Sequence, residues 1–297
     1  MEQKIKFYIE GVLKEKIKKM TVCSRLTWKN IVYYCETNKR EYAVKMYRKH
    51  NNAHIRSNIE VTMYRILQNV NINTPKIYYI GELDEYYILI NEWIKGVSLK
   101  EIINNSGIIQ NKNLIKSLLD DYKFVWNLNV SDDVKKLLNS NKLEEYDTPS
   151  MIYTRVNMKE DDLFFKFKNI KNIILIKNIY DKLKNELKLK NYIINSDISL
   201  HEVLINEKGD FWIDLEAFTI GDINNDLAGI FYSLSNSIIE QREEIECLMD
   251  IIKNNQYFSF GNFIFYLIER IFCANFLNGI NQNEINFYIN YILEKEI

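Results

Sequence analysis

In the first third of the chain, apolar positions recur in the short, β-branched and aromatic runs expected of strands. Ile31-Val-Tyr-Tyr-Cys35 and Glu41-Tyr-Ala-Val-Lys-Met-Tyr47 are separated by the polar Glu36-Thr-Asn-Lys-Arg40, which predicts two antiparallel neighbours joined by a hairpin. The period then changes. Ile59, Met63, Ile66 and Leu67 recur at helical spacing between 55 and 70, and Asn73-Thr-Pro75 closes that helix. Two more strands, Lys76–Ile80 and Tyr86–Ile90, flank Gly81-Glu-Leu-Asp-Glu85, so the predicted order is β-β-α-β-β.

Beyond Gly96 the pattern turns helical. Ser98 is placed to cap a short helix, and the segments 112–128 and 171–190 carry helical spacing with charged faces. One β patch interrupts, from Tyr192 to Ala217, with Val203–Asp214 reading as strand, turn and strand around Gly209. From Asp226 to Ile297 the chain is helical again. There is no internal repeat and no low-complexity linker, and the change of period places a domain boundary near residue 95, giving 1–95 and 96–297.

Composition narrows the functional classes. With 297 residues and 47% hydrophobic side chains, the chain can bury a substantial core across two domains or lobes. Its 39 basic and 40 acidic side chains nearly cancel, which argues against nucleic acid as a partner. Four scattered cysteines and three histidines show no zinc-site spacing. The N-terminal stretch lacks a signal peptide's apolar core, and no apolar run reaches the ~18 residues of a membrane span, so a reduced, cytoplasmic protein is expected.

Four pieces carry candidate chemistry. Lys45 lies inside an apolar strand run, where an ammonium must reach solvent, a carboxylate or a phosphate; an edge lysine facing water is the plainer alternative. Glu60, fifteen residues later on the predicted helix, is an acid able to pair with it, and by itself reads as a surface glutamate. Asn195-Ser-Asp197-Ile-Ser-Leu-His-Glu202 packs polar residues between two apolar β runs, either as a catalytic loop or as an ordinary solvated one. In Phe211-Trp-Ile-Asp-Leu-Glu216, period-two alternation puts Asp214 with Trp212 and Glu216, away from the buried face. Two carboxylates delivered by adjacent β-elements make a plausible site for a hard cation.

These pieces resemble the aminoglycoside phosphotransferase and choline kinase family of the protein-kinase-like fold. Its catalytic loop H-G-D-x-x-x-x-N, its I-D-[FWL]-[EG] and its G-D-x-x-x-D-L-A correspond to Asn195-Ser-Asp197 with Glu202, to Ile213-Asp-Leu-Glu216 and to Gly221-Asp-Ile-Asn-Asn-Asp226-Leu-Ala228. Thr74-Pro-Lys-Ile-Tyr78 and Ile88-Leu-Ile-Asn-Glu-Trp-Ile-Lys-Gly96 are similar to its fourth and fifth strands and hinge, and the likeness runs from about 25 to 235. The resemblance implies an α+β, bilobal fold: a small antiparallel β-sheet N-lobe with one helix and a larger, mainly helical C-lobe. It also implies Asp197 as the base for a small-molecule hydroxyl, and magnesium held by Asp214 with Glu202. Lys45, oriented by Glu60, would hold the phosphates of ATP, with GTP the alternative nucleotide, and the backbone of Asn91, Glu92, Trp93 and Ile94 would meet the purine. Asp226 would receive hydrogen bonds from the catalytic loop.

The chain departs from the family at three places. Thr21–Asn30 contains no glycine to cradle phosphates, with Ser24, Thr27 or Lys29 as substitutes; Glu202 stands for asparagine; and Asn195-Ser196 stands for histidine-glycine. A pseudokinase that binds or scaffolds is therefore the rival to a small-molecule kinase. A protein or lipid-linked sugar kinase is a third reading, from the likeness of Asp197-Ile-Ser to the RIO-type loop. Acceptor specificity is expected from 226–297 and 100–190. There, Glu240, Glu243, Glu244, Glu246 and Asp250 are either an attractor for a cationic acceptor or a solvated helix face, and Tyr257, Phe258, Phe260, Phe263, Phe265 and Tyr266 are either pocket or core. His201 is a further hydrogen-bonding candidate. Oligomeric state is not legible.

Overall fold

Five antiparallel strands in the order β1-β2-β3-β5-β4 form the N-terminal sheet: β1 (Ile17–Arg25), β2 (Asn30–Thr37), β3 (Glu41–Arg48), β4 (Ile77–Leu83) and β5 (Tyr86–Glu92). The computed structural model describes residues 2–25, 30–49, 53–145, 167–187, 190–278 and 281–296, so Thr27, Lys29 and part of the 100–190 segment lie outside the described residues. The predicted strands and the helix α2 (Ala53–Asn69) form as read, but two elements precede them. Helix α1 (Glu2–Leu13) buries Ile5 and Ile9 against the sheet, and β1 occupies residues read as a terminal stretch and a loop. β1 escapes a hydrophobic-run reading because it is an edge strand: Lys18, Lys19, Thr21 and Cys23 are exposed, while Ile17 is buried.

Alternation along β3 explains the sheet's two faces. Tyr42, Val44 and Met46 join Tyr33, Cys35, Ile88 and Ile90 in the core under α1, while Lys45 and Tyr47 point to the opposite face and are buried as well. Ile59, Met63 and Leu67 of α2 have no solvent exposure, which seats that helix, and Ile66 is only half-buried.

The chain divides into two compact units, 1–97 with 203–217, and 98–202 with 218–297. The hairpin of β8 (Val203–Asn206) and β9 (Gly209–Trp212) therefore belongs with the N-terminal sheet, although a boundary at 95 groups it with the C-terminal residues. Hydrogen bonds hold it there: Trp212 N–H donates to Asn73 O at 2.9 Å, and Asn206 Nδ2 donates to Lys95 O at 2.7 Å. Gly96 is required at this junction, since a Cβ would lie 2.9 Å from Ile205 O.

The second unit is mainly helical. Strand β6 (Val97–Ser98) leads into α3 (Leu99–Ser106), whose first turn is capped by Ser98 Oγ accepting from Glu101 N–H. Then come α4 (Lys112–Trp126), α5 (Asp132–Glu145), α6 (Ile173–Glu186), α7 (Ile223–Ser235), α8 (Arg242–Lys253), α9 (Phe260–Asn278) and α10 (Gln282–Glu296). A two-stranded antiparallel ribbon, β7 (Tyr192–Asn195) with β10 (Phe218–Gly221), carries the candidate loop at its end. Among the described residues, no helix is long and apolar enough to cross a membrane.

Ile59→Ala is expected to cost about 2–5 kcal/mol in denaturant unfolding, because its side chain is wholly buried. Ile66→Ala, half-buried on the same helix, should cost clearly less; equal losses would show that α2 is not seated through Ile59.

Candidate functional site

In the first unit, three carboxylates converge on one buried ammonium. Lys45, with 8% of its side chain exposed, donates to Glu60 at 2.8 Å and to Asp214, and lies 3.0 Å from Glu216. Helix α2 brings Arg56, Glu60 and Tyr64 to this face at i, i+4 and i+8, all buried. Tyr47 and Tyr64 donate their hydroxyls to Glu60, and Tyr64 in turn accepts the Asp214 N–H at 3.0 Å. Glu216 accepts from Asn30 Nδ2 at 2.8 Å and from Arg56 Nη1 at 3.4 Å.

The chain delivers Asp214 differently from the alternation read in the sequence. Strand β9 stops at Trp212, which is buried; Asp214 takes φ 59°, and a 3-10 turn over Leu215–Ala217 follows. Asp tolerates the left-handed region, and the reversal there turns both Asp214 and Glu216 onto Lys45, so Trp212 does not share an outward face with them.

Burial opposes the charge on Lys45, yet Asp214, Glu216 and Glu60 outweigh it and hold the ammonium's pKa well above its ordinary value. For Asp214, burial of the carboxylate, reinforced by Glu216 and Glu60 and opposed by Lys45, pushes the pKa up to about 6; with 44% of the side chain exposed, water tempers that rise. Glu216 goes the other way: burial is outweighed by Lys45, Arg56 and Asn30, and its pKa falls. Carboxylate oxygens of Glu60, Asp214 and Glu216 lie within 4.8 Å of one another, an all-oxygen donor set suited to a hard cation such as magnesium.

Asn91, the penultimate residue of β5, is buried, while Glu92, Trp93 and Ile94 are partly exposed. Two of the backbone donors in this run are engaged within the unit, Glu92 N–H to Lys76 O at 2.8 Å and Trp93 N–H to Glu41 O at 3.2 Å.

The second unit holds Asp197 and Glu202. Asp197 is exposed at the end of the β7 ribbon, and its N–H faces Asn195 Oδ1 at 3.4 Å; Glu202 ends a 3-10 turn over Leu200–Glu202 and is partly exposed. Behind them Asp226, with no exposure, accepts Asn195 N–H at 3.1 Å and Trp126 Nε1–H at 2.8 Å. Burial outweighs both bonds and raises its pKa to about 8.

The acidic run on α8 is largely occupied. Glu244 accepts the N–H groups of Ile108 and Ile109 at 2.6 and 2.8 Å, and Glu246 pairs with Lys295 at 2.8 Å. Glu243, Glu246 and Asp250 line a groove of about 670 Å³ together with Lys112, Lys116 and Arg242, so its charge is mixed. Phe263, Phe265 and Tyr266 are core.

The structure thus brings Lys45, Glu60 and Asp214 into one cluster. Reasoning from sequence assigned no role to Glu216, Arg56, Asn30, Tyr47 or Tyr64. The 56-60-64 spacing on α2 was the available signal, since a polar i, i+4, i+8 stripe beside the apolar Ile59, Met63 and Leu67 marks a second buried face.

No protein-family model matches the chain, and no curated protein matches it by sequence. Solved structures do. A spectinomycin phosphotransferase in complex with ADP and spectinomycin superposes with a TM-score of 0.65 at 16% identity, over 98% of this chain and 93% of that one. An aminoglycoside phosphotransferase bound to streptomycin and ATP gives 0.60 at 15% identity, over 99% and 96%. The ethanolamine kinase of Plasmodium vivax gives 0.52 at 15%, over 94% and 81%. The chain has the kinase-like fold of the aminoglycoside phosphotransferase and choline kinase family.

Asp226 binds a proton in the folded state up to about pH 8 but releases it near pH 4 when unfolded, so its contribution to stability falls as pH rises between those values and is level above them. Asp226→Asn should therefore flatten the decline in thermal stability between pH 6 and 8.5. An unchanged slope in the variant would show that Asp226 is ionised in the native protein.

Proposed function

We propose that the chain is an ATP-dependent phosphotransferase acting on a hydroxyl of a small molecule. The observation that carries this reading is Lys45, a buried lysine oriented by Glu60 and within reach of Asp214, as a phosphate-holding lysine requires. The acceptor oxygen would bond to the γ-phosphorus as the bond from phosphorus to the β–γ bridging oxygen breaks; Asp197 would take the acceptor's proton, and ADP would leave. Phosphoryl transfer asks mainly for in-line positioning and charge neutralisation, which needs no covalent intermediate on the protein.

Magnesium, when bound, would neutralise charge building on the phosphates. Asp214 is its first proposed ligand and Glu202 the second read from the sequence; Glu216 and Glu60 are further oxygen donors beside Asp214. ATP is the nucleotide favoured by the similar structures, which hold ADP or ATP, and with the Glu92 and Trp93 N–H groups engaged, Ile94 is the backbone position proposed to meet the purine. Spectinomycin, streptomycin and ethanolamine all carry amines and hydroxyls, so amine-bearing alcohols, including choline-like and amino-sugar compounds, are the acceptor class proposed. A nucleotide-binding pseudokinase is the second reading, favoured by Glu202 in the position of the family's asparagine.

Thermal denaturation with ATP and with ADP, each with and without magnesium, tests the nucleotide site. At about 100 times Kd, a ligand adds roughly 2.7 kcal/mol, worth several degrees here. The rise should require magnesium and be lost in Asp214→Asn. Asp197→Asn should keep the rise while lowering phosphoryl transfer to the amine-bearing alcohols about 10²–10⁴-fold. A shift with no transfer to any acceptor would select the pseudokinase, and no shift at all would remove the nucleotide from the proposal.

A further inference from the structure

We infer that Arg270 is the positioning residue that holds the Asn195–Asp197 loop and thereby aims the Asp197 carboxylate. The inference rests on the reading of Asp197 as base. Arg270 projects from α9, and its Nη2 donates to Ser196 O at 3.0 Å and to Asn225 Oδ1 at 2.8 Å. The next residue of α7, Asp226, accepts the Asn195 N–H at 3.1 Å. Consecutive residues of the loop are therefore gripped by complementary groups: an N–H by a carboxyl oxygen of Asp226 and a C=O by the Arg270 guanidinium, both groups belonging to or bound by neighbouring positions of one helix. Asn195 and Ser196 are buried at 3% and 1% exposure, whereas Asp197 is exposed, so the clamp grips the two residues directly before the one that must act.

A second observation is independent of those bonds. Gly229, one turn after Asn225 on α7, lies under the guanidinium: a Cβ there would stand 2.8 Å from Arg270 Cζ and 2.9 Å from Nη2. Glycine inside a helix is unfavourable for the helix itself. Its presence at this position keeps open the slot through which Arg270 reaches Ser196.

The clamp also accounts for a departure in the sequence. Where the resembled family has histidine and glycine before its aspartate, this chain has Asn195 and Ser196, and the support comes from Arg270 together with Asp226. Arginine suits the role because a fixed planar fork offers two hydrogens of one nitrogen to two acceptors while staying charged, which a flexible ammonium does less well.

Arg270→Met, Arg270→Lys and Gly229→Ala test this, the last displacing the guanidinium without removing it. Amide hydrogen exchange in peptides covering 192–202 should rise about tenfold or more in Arg270→Met and Gly229→Ala and less in Arg270→Lys, while peptides from β2 and β3 keep wild-type exchange. With an acceptor in hand, kcat should fall about tenfold or more with the KM for ATP unchanged, and Arg270→Lys should recover part of it. Wild-type exchange at 192–202 in Arg270→Met overturns the inference, as does a rise shared equally by every peptide, or a raised loop exchange with wild-type kcat. If the wild-type chain transfers phosphate to nothing, the proposed function fails, and the exchange measurement still decides whether Arg270 holds the loop.

Discussion

One constraint shapes the first unit: the ammonium of Lys45 lies out of water and must be neutralised there. A buried ion pair gives little net stability, because desolvation consumes most of the Coulombic gain, but removing one partner typically costs about 3–5 kcal/mol. Lys45 therefore commits its surroundings. α2 must present Glu60, the β8–β9 hairpin must dock so that the turn after Trp212 delivers Asp214 and Glu216, and Tyr47 and Tyr64 must satisfy the remaining lone pairs of Glu60. Residues more than a hundred positions apart in the chain are fixed by that one charge.

The three acids around Lys45 are not equivalent. Glu60 receives Lys45 and two hydroxyls, and Glu216 is held by Lys45, Arg56 and Asn30, so both are anchored on several sides. Asp214 has Lys45 as its cation and keeps nearly half its side chain exposed, and its pKa is pushed upward while that of Glu216 is pushed downward. Paired carboxylates whose environments drive them apart divide labour. Glu216 has the character of a fixed counter-ion, and under the proposed function Asp214 would be the acid that exchanges Lys45 for another cation.

Much of this was legible in the sequence. Period-two runs marked β2 to β5, the 3.6-residue period marked α2, and Gly209 marked the β8–β9 turn, because each depends on neighbours in sequence. Lys45 and Glu60 could be paired by the strand-then-helix order, and Asp197, Asp214 and Asp226 came from ordered motifs. What stayed hidden was nonlocal. β1 is an edge strand with too few apolar residues to announce itself, and α1 begins a chain whose charges mask Ile5 and Ile9. Alternation failed at Asp214 because one residue in the left-handed region reverses the chain, a change that no hydrophobic pattern encodes. Glu216, Arg56 and Asn30 meet only through folding over as many as 186 positions.

The second unit meets the problem of a buried charge by another route. Asp226 is bonded by the Trp126 indole and a backbone N–H, both neutral donors, and its raised pKa shows that these do not offset its desolvation. A carboxyl group that binds its proton more tightly in the fold is a sound anchor for backbone, since it needs no partner that could be drawn away by a ligand. Lys45, by contrast, is held by carboxylates, whose place a phosphate would take under the proposed function. The same chain thus buries a proton-binding carboxyl where a loop is held and a fully charged cluster around Lys45, and the proposed phosphoryl transfer would call for that division, one part still and one able to change partners.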